Sequence, residues 1–228
     1  MKRRDDLLER LGRCDSCALS DALDKLGLDG AVTGLERFSA NRKIFGRVVT
    51  VRLGKAGEGT AALPGRHLCT AAIEAASPGD VLVVEQRTGR DAAAWGGTLS
   101  RGALLRGLAG VVVEGPARDL DESRDLGFPV FARGHTARTA RGRVVETATN
   151  QPVRVGEVTV RAGDYVLGDA TAVVFIAADA IGRVLDTAEG IARREAAMAR
   201  ALEEGGRLSE VMGRDYENML KTGDDGNG

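Results

Sequence analysis

The stretch Ala109-Gly-Val-Val-Val113 is a short apolar run rich in β-branched residues. It reads as a strand buried on both faces, which requires a packed layer on either side of it. Gly115-Pro116 is expected to break the strand, and Arg118-Asp119 follows directly. Open α/β sheets commonly place ligand chemistry just past the carboxyl ends of their strands, where this pair falls. A carboxylate suits a hard divalent cation such as Mg²⁺. A guanidinium can grip a substrate carboxylate in bidentate fashion. Read by itself, the pair fits a surface ion pair beside Asp121 and Glu122 equally well.

Upstream, Gly96-Gly97 opens a segment with helical spacing, Thr98 to Arg106, whose apolar face is read as Leu99, Ala103 and Leu104. Two residues without Cβ let a ligand approach the backbone closely. A helix start carries unpaired N–H groups and the positive end of the dipole, which suits a carboxylate. On this feature alone, an ordinary loop before a helix fits as well.

The other elements follow from periodicity. Asp5–Arg13 is an amphipathic helix. Ser16 is read as the N-cap of a second helix, with Leu19, Ala22, Leu23 and Leu26 inward and Gly27 ending it. Phe45–Leu53 alternates as a strand, Gly54–Gly65 reads as a mobile glycine-rich loop, and His67–Ala76 as a helix. Val81–Glu85 is a buried strand after the turn Ser77-Pro-Gly-Asp80. Ser123–Leu126 is a short helix. Strands are expected at Pro129–Ala132, Arg143–Thr147, Val153–Val155, Val158–Val160, Tyr165–Leu167 and Val173–Ile176. A long helix runs from about Asp179 to Glu204, stopped by Gly205-Gly206. Lys221–Gly228 is a polar tail read as disordered. Strands interspersed with helices give an α/β class.

Three segments together, Gly96-Gly-Thr-Leu99, Gly110-Val-Val-Val-Glu-Gly-Pro-Ala-Arg-Asp119 and Gly127-Phe-Pro-Val-Phe-Ala-Arg-Gly134, resemble the RraA-like family. Ser20-Asp-Ala-Leu-Asp24 and the Ala71–Val84 region add to the likeness, which runs from about Ser20 to Gly205. The family includes class II 4-hydroxy-4-methyl-2-oxoglutarate / 4-carboxy-4-hydroxy-2-oxoadipate aldolases and regulators of ribonuclease activity. The resemblance implies a swivelling ββα-type fold, an α-β-β-α sandwich, assembled as a homotrimer or a hexamer of two trimers. The chain is then one catalytic domain over 1–205 with a partly disordered tail over 206–228. The resemblance also implies a metal-dependent lyase that cleaves a 4-hydroxy-2-oxo acid to pyruvate, with oxaloacetate decarboxylation as a side activity.

The implied site residues are Arg118, Asp119 and a glutamate from the C-terminal region reaching a neighbouring subunit, Glu195 in preference to Glu189. Asp119 holds Mg²⁺ or Mn²⁺. Arg118 and the Gly96, Gly97, Thr98 and Leu99 backbone bind the 2-oxo acid. The residue inventory agrees. An aldolase needs an electron sink, either a lysine Schiff base or a metal. Lysines occur at 2, 25, 43, 55 and 221, none between Trp95 and Gly134. Lys55 is the one to watch, and His135 is a candidate acid or base. Departures from the family pattern stand at Gly97-Thr98, where Glu-Leu is common, at Glu114, where Asp is common, and at Pro116. The competing readings are a non-enzymatic regulator that binds a partner by surface contact, and a specialised biosynthetic lyase or isomerase. No convincing glycine-rich S-adenosylmethionine loop follows a strand, which leaves a methyltransferase without support.

A formal net charge of -1 argues against general nucleic-acid binding, where a basic face is expected. No run approaches the roughly 18 apolar residues of a membrane span, and no signal-peptide h-region is found, so a cytoplasmic protein is expected. Cys14-Asp-Ser-Cys17 has redox or zinc spacing, and His67-Leu-Cys69 formally completes a four-ligand set. The helical setting of Cys17 and the Ala-rich stretch after Cys69 favour packing instead.

Overall fold

The computed structural model describes residues 2–57 and 67–213. Most of the glycine-rich loop and the tail from Lys221 lie outside the described residues. In chain order the elements begin with α1 (Lys2–Arg13), α2 (Ser16–Lys25), β1 (Ala31–Val32), β2 (Glu36–Arg37), β3 (Ile44–Lys55), α3 (Thr70–Ala75) and β4 (Val81–Glu85). Next come α4 (Gly97–Leu105), β5 (Gly110–Ala117), α5 (Leu120–Asp125), β6 (Val130–His135) and β7 (Val144–Thr149). The chain closes with β8 (Val153–Val155), β9 (Val158–Val160), β10 (Tyr165–Gly168), β11 (Val173–Ile176), α6 (Ile181–Glu203) and α7 (Leu208–Val211).

Nine strands form one sheet in the order β1-β11-β10-β3-β4-β5-β6-β2, with β7 also on β3, and β8-β9 make a separate ribbon. The pairs β3-β4, β4-β5 and β5-β6 are parallel, joined through α3, α4 and α5. Strand β3 spans the two halves of the sheet. Its residues 44–47 pair with β10, and 48–52 pair with β4.

Period-2 alternation along the strands builds two cores at once, because successive side chains point to opposite faces. Leu82, Val84, Val111, Val113, Val130 and Ala132 pack with Ala72, Ile73 and Ala103 of α3 and α4. Their neighbours Val81, Val83, Val112 and Phe131 point the other way, against Val166, Val173 and Phe175 and against Val153, Val155 and Val160 of the small ribbon. On the far side Tyr165, Leu167, Val174 and Ile176 meet Leu11, Leu19, Leu23, Val184 and Leu185 from α1, α2 and α6. The layers therefore run helices, strands, strands, helices: the sheet curls so that its two halves face each other. No helix among the described residues is long and apolar enough to cross a membrane.

Several local expectations are corrected. The N-cap of α2 is Asp15, whose Oδ1 accepts from the Ala18 N–H at 2.8 Å. Ser16 instead donates from its N–H and its Oγ to Asp169, both at 2.8 Å. Strand β5 does not stop at Gly115-Pro116. It continues to Ala117 through a register shift, with Gly115 at φ 157, the irregularity a strand uses to accept a proline. On α4, Leu104 is exposed, and Ser100 takes the buried position. Lys55 is the last residue of β3. The three cysteines are free, Cys69 is in the core, and no described cluster of three His, Cys, Asp or Glu side chains could hold a metal.

Asp169 clips α2 to the β10–β11 turn. Burial works to raise its carboxyl, but hydrogen bonds from Ser16, Thr171 and Ala172 outweigh it, and the pKa falls below the ordinary 3.8. Because the folded value is the lower one, the stabilisation is complete above 3.8 and is lost as pH falls through the depressed folded value. Asp169→Asn is therefore expected to cost about 1 kcal/mol at neutral pH, limited by partial solvation. Urea midpoints for the two proteins should converge below pH 3.8. A gap that widens on acidification would contradict the assignment.

Candidate active site

At the carboxyl end of β5, backbone pairing extends past the sheet proper. Ala94 N–H donates to the Pro116 carbonyl at 2.9 Å, and Arg118 N–H to that of Trp95 at 3.0 Å. Trp95 and Ala117 form an isolated parallel bridge. This brings Trp95-Gly96 alongside Arg118-Asp119, 23 residues further along the chain.

Asp119 has φ 53 and ψ 42, the left-handed region, where Asp is one of the few tolerated side chains. It occupies the N-cap position of α5 but does not cap it. Its Oδ2 accepts from the Gly97 N–H and from Arg118 Nε, each at 3.1 Å. Both side chains remain 37% exposed. A Cβ on Gly96 would stand 2.8 Å from Asp119 Oδ2 and 3.3 Å from Arg118 Cγ, so only glycine leaves the pair undisturbed. A Cβ on Gly97 would lie 1.9 Å from Glu122 Oε2, and Glu122 is also paired with Arg101 at 3.2 Å. Glu122 of α5 thus brings a carboxylate close against the start of α4.

A buried hydroxyl chain fixes this arrangement from beneath. The indole N–H of Trp95 can only donate, and it donates to Ser100 Oγ at 2.8 Å. Ser100 Oγ lies 2.9 Å from Ser123 Oγ, and Ser123 Oγ donates to the Asp119 carbonyl at 3.2 Å. With Trp95 at the head, the protons of the chain point one way, toward Asp119. Trp95 also stacks on Phe128, with centroids 6.1 Å apart.

Trp95, Gly96, Arg118 and Asp119 border a cleft of about 230 Å³. That is below the roughly 300–1,000 Å³ that encloses a drug-sized ligand, so the cleft suits a small metabolite. Gly96, Thr98, Leu99, Arg118 and Asp119 line it, as the sequence reading expected. Gly97 does not: it is buried, with its N–H committed to Asp119. The lining also takes in His67, Thr139 and Arg141, which sequence reasoning had not connected with the site. No sequence signal ties them to it, since the turn before β7 and the start of the α3 segment meet only in the fold.

Other candidates fall elsewhere. His135 sits on β6 with its ring edge against Phe38 at 5.5 Å, outside the cleft lining. Glu114 turns away from the helices and pairs with Arg133 at 2.9 Å. Glu189 is tied to Arg10, which donates to it at 2.7 and 3.0 Å, and its pKa is lowered mainly by that bond. Glu195 is exposed on α6, away from this chain's cleft. Burial, then Asp15 and Asp21, push its carboxyl above the ordinary range.

The RraA-like family model, described as Aldolase/RraA, matches residues 16–175. The protein DlpA of Legionella pneumophila is 29% identical over 207 residues, 90% of this chain, and the chain spans only 33% of DlpA's length. A protein of Halalkalibacterium halodurans, provisionally named a 4-hydroxy-4-methyl-2-oxoglutarate aldolase, is 30% identical over 199 residues, covering 87% of this chain and 90% of its own length. Among solved structures, Streptomyces coelicolor RraAS2, titled an unusual member of the RNase ES inhibitor RraA protein family, superposes with a TM-score of 0.72 at 28% identity. That match covers 83% of this chain and 93% of RraAS2.

Proposed function

The chain belongs to the RraA-like family, and from that premise we propose that it is a lyase of 2-oxo acids. In this reading it is a divalent-metal-dependent, class II aldolase that cleaves a 4-hydroxy-2-oxo acid to pyruvate. Oxaloacetate decarboxylation follows as a side activity, because both reactions pass through the pyruvate enolate. The observation that carries the reading is Asp119 held beside Arg118 and the α4 N-terminus at the mouth of a small cleft. The name of the Halalkalibacterium halodurans relative supports the same chemistry.

The donor set fits Mg²⁺ or Mn²⁺. Asp119 Oδ2 is occupied by two donors, which leaves Oδ1 of a half-exposed carboxylate available. Mg²⁺ is commonly held by one or two carboxylates and several waters. A bound divalent cation supplies the electron sink that a Schiff-base lysine supplies in other aldolases. Arg118 grips the 2-oxo acid carboxylate and stabilises negative charge as it develops on the pyruvyl oxygen. The first-turn N–H groups of Thr98 and Leu99, which have no acceptor within the helix, add to that binding. A base takes the 4-hydroxyl proton, the C3–C4 bond breaks, and its electron pair passes to the enolate, which is protonated at C3.

We assign the base to Glu195 of a second copy in a cytoplasmic homotrimer or pair of trimers. Glu195 has no partner among the described residues of its own chain, whereas Glu189 is already engaged. Purified protein is expected to release pyruvate from oxaloacetate and from 4-hydroxy-4-methyl-2-oxoglutarate with Mg²⁺, and to lose that activity in EDTA. Pyruvate release that persists in EDTA would reject the metal, and none from either substrate would reject the lyase. The likeness to RraAS2 favours as second reading a non-enzymatic regulator. Binding of an endoribonuclease without pyruvate release would support it.

A further inference from the structure

We propose that Glu146 is a positioning residue of the cleft: by holding Cys69 in a left-handed turn it sets His67 and Leu68 as one wall of the site, and so governs how tightly substrate is bound. The proposal rests on the 2-oxo acid reading above. It starts from the way two remote parts of the lining are joined. His67 and Leu68 come from the turn before α3, and Thr139, Ala140 and Arg141 from the turn before β7. Across this junction the Cys69 N–H donates to Glu146 Oε2 at 2.6 Å, spanning 77 residues of chain.

The turn needs such a hold. Thr70 N–H donates to the His67 carbonyl at 3.3 Å, and Thr70 Oγ1 donates to the same oxygen at 2.7 Å. Cys69 is therefore the third residue of a β-turn, with φ 66 and ψ −9. A positive φ at that place is what a type II turn demands, and glycine is its usual occupant. A residue with a Cβ resists it. The thiol offers no compensation, since it makes no cap on α3. Burial, then the Glu146 charge, hold it well above its ordinary 9.0, so it stays neutral and unreactive.

Glu146 supplies a rigid support. It is 8% exposed, and both oxygens are engaged, Oε2 by Cys69 and Oε1 by Thr149 Oγ1 at 2.5 Å. A buried carboxylate is costly to desolvate, but an ionised acceptor makes a stronger hydrogen bond than a neutral one. The strand that carries it is fixed. β7 runs antiparallel to β3, with Glu146 opposite Leu53 and Thr149 opposite Val51. Val144, on the same face of β7, shares a core with Leu68, Cys69 and Ala140. The bond thus ties a strained turn to the strand that spans both halves of the sheet.

The test is oxaloacetate decarboxylation in Mg²⁺, read as KM against kcat, with thermal midpoints to confirm folding. Glu146→Ala is expected to raise KM about tenfold, the worth of a charge-assisted hydrogen bond, with kcat changed by less than about threefold. Glu146→Gln keeps an acceptor, so its KM should rise by less than about threefold. Adding Cys69→Gly to Glu146→Ala should bring KM back to within about threefold of wild type, because glycine takes φ 66 unaided. Adding Cys69→Ala should not, because alanine keeps the Cβ. A merely structural role predicts no such rescue, since glycine leaves the larger void in the core. A KM unmoved by Glu146→Ala, or restored equally by glycine and alanine, overturns the proposal. Amide exchange over His67–Thr70 is a readout independent of turnover. It should quicken at least about tenfold in Glu146→Ala and about threefold in Glu146→Gln, which serves alone if the alanine variant does not fold, while exchange in β4 is unchanged. Unchanged exchange over His67–Thr70 overturns the proposal whatever the kinetics show. If the wild type turns over no oxaloacetate, the lyase reading falls, and amide exchange still decides whether Glu146 holds the turn.

Discussion

Asp119→Asn is expected to lower Mg²⁺-dependent pyruvate release by about 10²–10³-fold or more, with little loss of stability. Asn is the informative replacement because it accepts the left-handed backbone that Asp119 adopts, at φ 53, where Ala would add strain. Its amide oxygen can still accept from the Gly97 N–H, so the junction of α4 and α5 is retained. What disappears is the negative charge that opposes Arg118 and attracts a divalent cation. The site is at the surface, so the thermal midpoint should move by less than about 2–4 °C. The measurement is kcat in a coupled pyruvate assay across a Mg²⁺ titration. Full activity in the variant, or a loss of activity that merely tracks unfolding, would remove Asp119 from the metal site.

Trp95→Ala is expected to cost about 3–5 kcal/mol, the usual range for deleting a large buried aromatic. The side chain is 1% exposed and stacks on Phe128. Its removal also leaves Ser100, in a fully buried position, without its donor. Trp95→Phe separates the two effects: most of the volume stays, the indole N–H goes, and the cost should fall to about 1–2 kcal/mol. Urea denaturation midpoints would give both numbers. Both variants should also lose catalytic efficiency beyond any loss of folded protein, because the hydroxyl chain that ends on the Asp119 carbonyl loses its head. A Trp95→Phe variant as unstable as Trp95→Ala would mean that the hydrogen bond, not the volume, carries the contribution.

Much of the secondary structure was legible because several strands have no solvent face. Val81–Glu85 and Val173–Ile176 are apolar at nearly every position, and short apolar runs between turn residues suit little else. Strands β1 and β2 were not found, since two residues each leave no pattern. The sandwich topology was not readable from periodicity either. Inward and outward sets look alike along each strand, and only pairing shows that β3 bridges the two halves. The Arg118-Asp119 pair was legible from chain order, as residues after an apolar run. The role of Gly97 as a donor to Asp119 was not, because it depends on how closely α4 and α5 approach. The inward face of α4 was read without Ser100, because apolar residues alone defined it, yet a hydroxyl can be buried when Trp95 and Ser123 both satisfy it.

Among the described residues, those that border the cleft come from one continuous span, His67 to Arg141. The span contains two complete crossovers, β4-α4-β5 and β5-α5-β6, and it docks on the rest of the chain chiefly through β4 against β3 and β6 against β2. The helices before it and the long helix after it share a separate core on the far layer. The outer helices can therefore change in length and packing without disturbing the core beneath the cleft, within the limit that Glu195 of α6 sets under the proposed mechanism.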